Sequence, residues 1–318
     1  DAGIEALNTA KQRLKQYRQS VLKAAVTGEL TKEWREANIP SIGCAEERSA
    51  SFAEDALPGI STSYETASQL LERILETRRQ KWEEQQLVQF IAKGKLPKNN
   101  KWKKKYVEPA LVDDLDVPNG WVVTSLDQLT EYITSGSRGW AKFYSDSGAT
   151  FIRAQNLKND RLNLDDVAYV SLPDSVEGMR TRVKRGDVLI TITGANVTKT
   201  GIVDIEIEEA YVSQHVALCR HVMTSCSEYI YINLICKDGS RKKLEKAAYG
   251  AGKPGLNLDN LKSLSITLPS IKEQKEIIKL VEQRFSSIEH LENEIVVQLK
   301  KAEKNKQSIL ASAFSGDL

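Results

Sequence analysis

The chain has 318 residues, and 41% of them are apolar, which is enough for about two domains with a substantial core. Its 45 basic and 43 acidic residues nearly balance, so the net charge of +2 excludes a polycationic tail but leaves room for a locally basic face. The sequence lacks both an uncharged apolar run of about 18 residues and a signal peptide, so neither a membrane span nor export is expected. Because the chain begins with Asp1 and not with Met, we expect it to start inside a longer protein or after a removed segment.

The N-terminal part of the chain is predicted to contain two helices joined by a linker. Apolar residues seven positions apart predict a helix over about 4–27, namely Leu7, Leu14 and Val21. Gly28 is expected to end this helix. Residues 37–62 carry Pro, Gly and Ser and are typical of a surface linker. A second helix is predicted over 63–92, and its polar middle suits a solvated helix that lies on a partner.

Residues 93–105 contain seven lysines and no acidic residue. One interpretation is a flexible basic arm that contacts nucleic-acid phosphates. The other is a solvated linker, which we favour because most runs of like charge are only solvated.

From residue 117 the pattern changes to short β-branched runs separated by Gly, Asn and Asp, which is typical of strands. Tyr211–Arg220 is predicted to be one continuous strand. Short helices are predicted near four segments: 125–132, 226–237, 239–248 and 257–262. We therefore expect an α+β fold, with a globular mixed domain over 117–270.

The four cysteines are too few for a disulfide framework and indicate a reducing compartment: Cys44, Cys219, Cys226 and Cys236. A zinc site is the alternative for four residues that lie close in sequence, namely His215, Cys219, His221 and Cys226. Zinc requires four converging ligands, whereas residues on one continuous strand do not converge. We therefore predict no metal site and interpret these residues as buried or half-buried strand positions.

The last part of the chain is predicted to be one long helix from residue 271 to about 314. Ser270 is the expected N-cap, with Glu273 completing a capping box. Apolar residues seven apart form a seam typical of a coiled-coil partner: Val281, Ile288, Ile295, Ala302 and Ile309.

The two ends of the chain repeat each other. Residues 19–30 and 307–318 share six of twelve positions without a gap, and five others are similar in kind. The same offset superposes the two heptad seams, so equivalent helices bracket one globular domain. The simplest packing pairs them antiparallel, or pairs each with an equivalent helix of another copy.

These features resemble the specificity subunit of type I restriction–modification systems. The similar segments, in chain order, are the helical stretch Leu14–Arg35, the domain entry Pro118-Asn-Gly-Trp121, the strand Gly186–Ile190 with Gly194 and Gly201, the glycines 250, 252 and 255 before Leu256-Asn-Leu258, and the junction Leu264–Ile278. A full family member has two recognition domains and two helical regions. This chain has one recognition domain, so it resembles a half-subunit or the C-terminal half of a full subunit.

The resemblance implies four parts and a set of partners. The parts are a spacer helix (1–36), a linker with the second helix and basic arm (37–116), a DNA target recognition domain (117–270) and a long spacer helix (271–318). The implied partners are double-stranded DNA, methyltransferase subunits and, through the complex, restriction subunits in a prokaryotic cytoplasm. S-adenosylmethionine, ATP and Mg²⁺ would belong to the partner subunits. The heptad seams would bind a partner, a second copy or the missing N-terminal half.

No catalytic constellation is found in the sequence. Gly250–Pro254 only partly matches a phosphate-binding loop, because Pro254 stands where a magnesium-binding hydroxyl is required. We therefore predict a non-catalytic subunit. The alternatives are a coiled-coil adaptor that binds protein and a stand-alone metal-dependent nuclease.

Three loops and a lysine carry the candidate DNA contacts. Arginine and lysine can bond guanine, and asparagine and glutamine can bond adenine. The residues selected are Arg138, Trp140, Lys142, Tyr144, Arg153, Gln155, Asn156, Asn196, Lys199 and Lys253.

Overall fold

The computed structural model describes residues 2–38, 65–173, 178–249 and 254–315 and confirms the expected α+β class. None of the described helices combines the length and apolar character needed to cross a bilayer. The α-helices are α1 (Ala2–Val26), α2 (Lys32–Asn38), α3 (Ala67–Ala92), α4 (Leu126–Leu129), α5 (Ser227–Ile235), α6 (Ser240–Tyr249), α7 (Leu258–Lys262) and α8 (Ile271–Ser315). The division of the chain into four functional parts stays a prediction.

The strands of the globular domain form two four-stranded sheets and two short ribbons. The strands are β1 (Val122–Ser125), β2 (Thr130–Ser135), β3 (Tyr144–Ser145), β4 (Ala149–Ile152), β5 (Leu157–Lys158), β6 (Arg161–Leu162), β7 (Ala168–Val170), β8 (Val188–Thr191), β9 (Thr200–Ile202), β10 (Ala210–Val212), β11 (Val216–His221) and β12 (Ser265–Leu268). Sheet one has the order β2-β11-β8-β9 and is antiparallel. Sheet two has the order β10-β4-β7-β3, with β10 and β4 parallel.

Sheet one is buried on both faces because its side chains alternate between two cores. Val188 and Ile190 of β8 point into a core shared with α3, α5 and α7. Leu189, between them, points into the core shared with sheet two. A strand of consecutive apolar residues is therefore expected at this central position.

The continuous strand predicted over Tyr211–Arg220 is wrong. β10 pairs with β4 in sheet two, whereas β11 pairs with β2 and β8 in sheet one. The chain changes sheets at residues 213–215, where the Ser213 amide donates to the Ile152 carbonyl at 2.8 Å. This turn contains no glycine or proline, and its signal in the sequence is the run of three polar residues Ser213, Gln214 and His215.

The long helices from the two chain ends pack antiparallel, which is the first of the two expected arrangements. Arg18 of α1 approaches Glu292 of α8 at 3.4 Å, and Arg284 donates to the Tyr17 hydroxyl at 2.9 Å. The seam is covered unevenly. Val21, Val281 and Ile288 are buried; Leu7, Leu14, Ile295 and Ala302 are half-buried; and Ile309 is 60% exposed.

Gly28 ends the first helical segment in a left-handed conformation, with φ of 79°. A Cβ at this position would lie 2.6 Å from Pro118 Cγ, so the turn packs against the entry into the globular domain. This position therefore requires glycine both for its backbone conformation and for space. The equivalent Gly316 lies outside the described residues.

The capping box predicted at the start of α8 forms only in half. Ser270 Oγ accepts from the Glu273 amide at 3.3 Å, as expected of an N-cap. The Glu273 carboxylate instead accepts from three groups outside α8: Thr31 Oγ1 (2.8 Å), Arg35 (2.7 Å) and Trp121 Nε1 (2.9 Å). The side chain thus joins the helix pair to the globular domain.

The lysine-rich segment is neither a flexible arm nor a simple linker. Residues 100–105 form a 3₁₀ helix that folds back on α3, where Trp102 stacks on Trp82 with ring centroids 6.0 Å apart. Lys103 pairs with Glu83 at 2.6 Å. The linker predicted over 37–62 is described only at residues 37 and 38, which end α2.

Burial of His221 predicts a specific sensitivity to acid. Its ring is 2% exposed, Nδ1 lies 2.8 Å from Ser227 Oγ, and burial lowers the pKa of His221 from 6.5 to about 4. Below pH 6.5 His221 becomes protonated in the unfolded chain, whereas in the folded protein it becomes protonated only near pH 4. The folded state therefore loses stability across this window, by at most about 1.4 kcal/mol per pH unit.

The measurement is the free energy of unfolding from pH 7 to 4.5 for the wild type and His221→Asn. Carboxylates contribute to both proteins, so the difference between the two curves isolates the histidine. We expect a shallower acid slope in the variant, and parallel curves would contradict the assignment.

Candidate nucleic-acid interface

Four chain segments meet at one end of the two sheets. They follow the ends of β2, β4 and β8 and include the turn that joins β10 to β11. Their strands are neighbours in register: Ser135 pairs with Ala217, and Val216 pairs with Thr191. We call these segments the loop face, defined as residues 136–139, 153–156, 193–199 and 213–215.

The turn between β10 and β11 holds the centre of the loop face. A Cβ on Gly136 would lie 2.0 Å from the Val212 carbonyl oxygen, so the first loop packs directly on this turn. On its other side, Thr193 Oγ1 contacts Nδ1 of the exposed His215. The segments therefore form one continuous surface.

In the segment after β4, the amide side chain of Asn156 is structural, whereas Arg153 and Gln155 can contact a ligand. Asn156 is 2% exposed, and its Nδ2 donates to two carbonyls, those of Asn163 (3.0 Å) and Asp166 (2.8 Å). This side chain shapes the loop, and burial prevents it from meeting DNA in this conformation. Gln155 is exposed and Arg153 half-buried, and each makes only a long contact with Asp166, at 3.4 and 3.9 Å.

The loop after β2 also divides into buried and exposed residues. Trp140 is 5% exposed and packs edge-on to Tyr211 with ring centroids 5.4 Å apart, so its selection as a DNA contact is corrected to a core role. Arg138 and Lys142 are exposed. Tyr144 lies on the edge strand β3, also exposed, with its ring against Phe151.

The loop between β8 and β9 is held close to the segment after β4. Asn196 Nδ2 donates to the Ala154 carbonyl at 3.2 Å. Thr198 is buried with φ of 74°, an uncommon conformation for a β-branched residue that the surrounding packing must maintain. Lys199 is half-buried beside it, and Lys253 lies outside the described residues.

The accessible groups of this surface are cations and amides. Arg138 and Lys142 present solvent-exposed positive charge, and Gln155 presents a donor and an acceptor together. Arginine suits the paired acceptors O6 and N7 of guanine, and glutamine suits N6 and N7 of adenine. The surface therefore has the chemistry needed to contact phosphates and base edges.

Three residues at this surface were not selected as DNA contacts by the sequence analysis, namely Gln214, His215 and Arg180. His215 and Gln214 are exposed in the sheet-changing turn, where three consecutive polar residues interrupt an apolar run and offered a signal. Arg180 donates to Thr134 Oγ1, to the Ser135 carbonyl (3.0 Å) and to Ser137 Oγ (3.3 Å). No sequence motif indicates that Arg180 reaches this loop.

The candidate zinc ligands do not converge. His215 is exposed on the loop face, whereas Cys219 is completely buried in the core, where burial raises the pKa of its thiol. His221 is engaged with Ser227. Within the described ranges, no group of three or more His, Cys, Asp and Glu residues is arranged to hold a metal ion.

The fold defines a class of protein in which an α+β domain with a polar loop face is carried on paired long helices. The family model for the type I restriction modification DNA specificity domain matches residues 118–301, more than half of the chain. The chain belongs to this family, which confirms the resemblance seen in the sequence.

Curated relatives carry the same description. The chain is 27% identical over 206 residues to the type I restriction enzyme EcoBI specificity subunit of Escherichia coli, covering 64% of this chain and 43% of that subunit. It is 24% identical over 178 residues to the EcoKI specificity subunit of Escherichia coli strain K12, covering 55% and 38%. This chain thus spans less than half of the length of these relatives.

A solved structure supports the shared fold. It is described as the structural basis of complex assembly and conformational transition of the type I R-M system. One of its chains matches this protein with a TM-score of 0.52 and 20% identity, over 79% of this chain and 58% of that chain.

Proposed function

We propose that this chain is the DNA-recognition subunit of a type I restriction–modification complex and reads one half of a bipartite duplex target. The observation that carries the proposal is the loop face, where Arg138 and Gln155 stand exposed on tightly packed loops, with Lys142 exposed just beyond residue 139. A firmly held loop backbone favours base recognition, because little loop freedom remains to be lost on binding. One such domain per chain accounts for one half-site.

The chain takes no part in catalysis in this proposal. Methyltransferase subunits dock on the paired helices and supply the S-adenosylmethionine chemistry, and restriction subunits that use ATP and Mg²⁺ join through them. The support for docking is the distal part of α8, where Ile309, Leu310 and Phe314 are 60%, 47% and 90% exposed. Exposed apolar side chains on one helix end indicate a surface that a partner covers.

Alanine at Gln155, Arg138 or Lys142 is expected to reduce discrimination at one half of the target. A bidentate base contact contributes about 1–3 kcal/mol of specificity. Methylome sequencing of cells carrying the complex identifies the target. Fluorescence anisotropy then compares the affinities of each variant for that duplex and for a scrambled duplex.

The matched control is Gln298→Ala, which removes an exposed amide from α8. It should leave the affinity ratio unchanged. Removing the exposed lysines 98, 101, 104 and 105 offers a contrast, because the loss of phosphate contacts should weaken binding to every duplex equally and flatten the salt dependence. If all loop variants keep the wild-type ratio, the loop face does not read bases.

A further inference from the structure

Arg180 lies beside the loop that presents Arg138, and its own backbone is firmly placed. It sits in a 3₁₀ turn (Met179–Thr181) in which Thr181 Oγ1 donates to the Gly178 carbonyl at 3.2 Å. A Cβ on Gly178 would lie 2.7 Å from the ring of the buried Tyr211, so the turn packs tightly on sheet two.

The guanidinium of Arg180 bridges from this turn to the end of β2. Nη1 donates to Thr134 Oγ1 and to the Ser135 carbonyl at 3.0 Å, and Nη2 donates to Ser137 Oγ at 3.3 Å. One planar group thus holds both the last residues of the strand and the first side chain of the loop. The fixed fork of arginine allows these bonds at once, which lysine cannot reproduce.

The loop is fixed on both sides of Arg138. On the N-terminal side, Gly136 packs on the Val212 carbonyl, and Ser137 is bonded to Arg180. On the C-terminal side, Trp140 is buried. Between these anchors only Arg138 and Gly139 are exposed, and a Cβ on Gly139 would contact nothing within 4 Å.

We infer that Arg180 is a positioning residue that fixes the loop carrying Arg138 against sheet one, so that the Arg138 guanidinium meets a guanine edge in a set orientation. The inference rests on the proposed function for the DNA step, but the positioning itself is a property of the free protein. Arg180 acts through Arg138 and contacts no base.

Hydrogen exchange of the full chain without DNA tests the positioning directly. Arg180→Ala should speed amide exchange at residues 137–139 about tenfold or more, because Ser137 loses its anchor. Arg138→Ala should leave these rates unchanged. Arg185→Ala is the control, since Arg185 is also exposed but follows a turn at the opposite end of sheet one. Unchanged exchange in Arg180→Ala would overturn the inference whether or not the chain binds DNA.

A double-mutant cycle on DNA binding separates positioning from direct contact. Arg180→Ala alone should reduce the ratio of target to scrambled affinity about tenfold, within the range of one base contact. In the Arg138→Ala background it should reduce the ratio no further. Arg180→Lys should keep the wild-type salt dependence but reduce the ratio of target to scrambled affinity as much as Arg180→Ala does. Additive losses, or full rescue by lysine, would show that Arg180 acts as a charge on the DNA and would overturn the inference.

Discussion

Replacing Glu273 by alanine is expected to lower the free energy of unfolding by about 3–5 kcal/mol, the usual cost of removing one partner from a buried ion pair. The side chain is fully buried and accepts hydrogen bonds from Thr31, Arg35 and Trp121. Its removal leaves all three donors without this acceptor, in a region closed to water. Denaturant unfolding followed by circular dichroism measures the change.

Two further variants make this measurement specific. Glu282→Ala removes an exposed carboxylate from the same helix and should change stability by no more than about 0.5 kcal/mol. Glu273→Gln keeps an acceptor of the same shape without the charge and should fall between the two. A loss below about 1 kcal/mol for Glu273→Ala would show that the junction does not depend on this carboxylate.

Changing Ile309 and Phe314 to aspartate is expected to weaken methyltransferase binding at least 100-fold, or about 3 kcal/mol, while the recognition domain stays folded. Both side chains are exposed, so the substitutions break no packing within the chain. In a covered interface each new carboxylate would be desolvated without a partner, which costs several kcal/mol. Ile295 is less suitable, because it is half-buried in the helix seam.

The control for the helix end adds the same charge elsewhere. The double variant Gln298→Asp and Asn305→Asp places two carboxylates on α8 at exposed positions that polar residues occupy in the wild type. Sedimentation velocity of the chain mixed with its methyltransferase compares the two double variants. A complex that survives the Ile309 and Phe314 changes, or a chain that ignores the methyltransferase altogether, would refute docking at this end.

Regular amphipathic patterns made the helices predictable. Heptad spacing placed α1 and α8 within about three residues of their observed ends, because an exposed helix must keep its apolar residues on one side whatever it packs against. The repeat between the chain ends likewise anticipated the antiparallel pair. Local spacing could not predict that the Glu273 carboxylate accepts from Thr31 and Arg35 and does not complete the capping box. Those residues are more than 230 positions away in the chain.

The sequence predicted which polar segments form the loop face, but it did not predict which of their side chains are exposed. Three of its segments were selected because polar residues follow strand ends. Trp140 and Asn156 share that position and are nonetheless buried, because tertiary packing decides which members of a loop turn inward. The turn at 213–215 contains three polar residues but no glycine or proline, and without such a breaker the pattern predicts one continuous strand.

The pairing of β1 with β12 places the entrance and the exit of the globular domain side by side. Val122 lies opposite Leu268, and α8 begins at Ile271, directly after the exit strand. The segment between these positions is thus closed at its own base, and the helix pair packs on it through α5, where Leu22 and Ile277 share a buried apolar cluster with Tyr229. None of the residues of the loop face belongs to this cluster. Substitutions confined to the loop face therefore leave the packing of the helix pair on α5 in place.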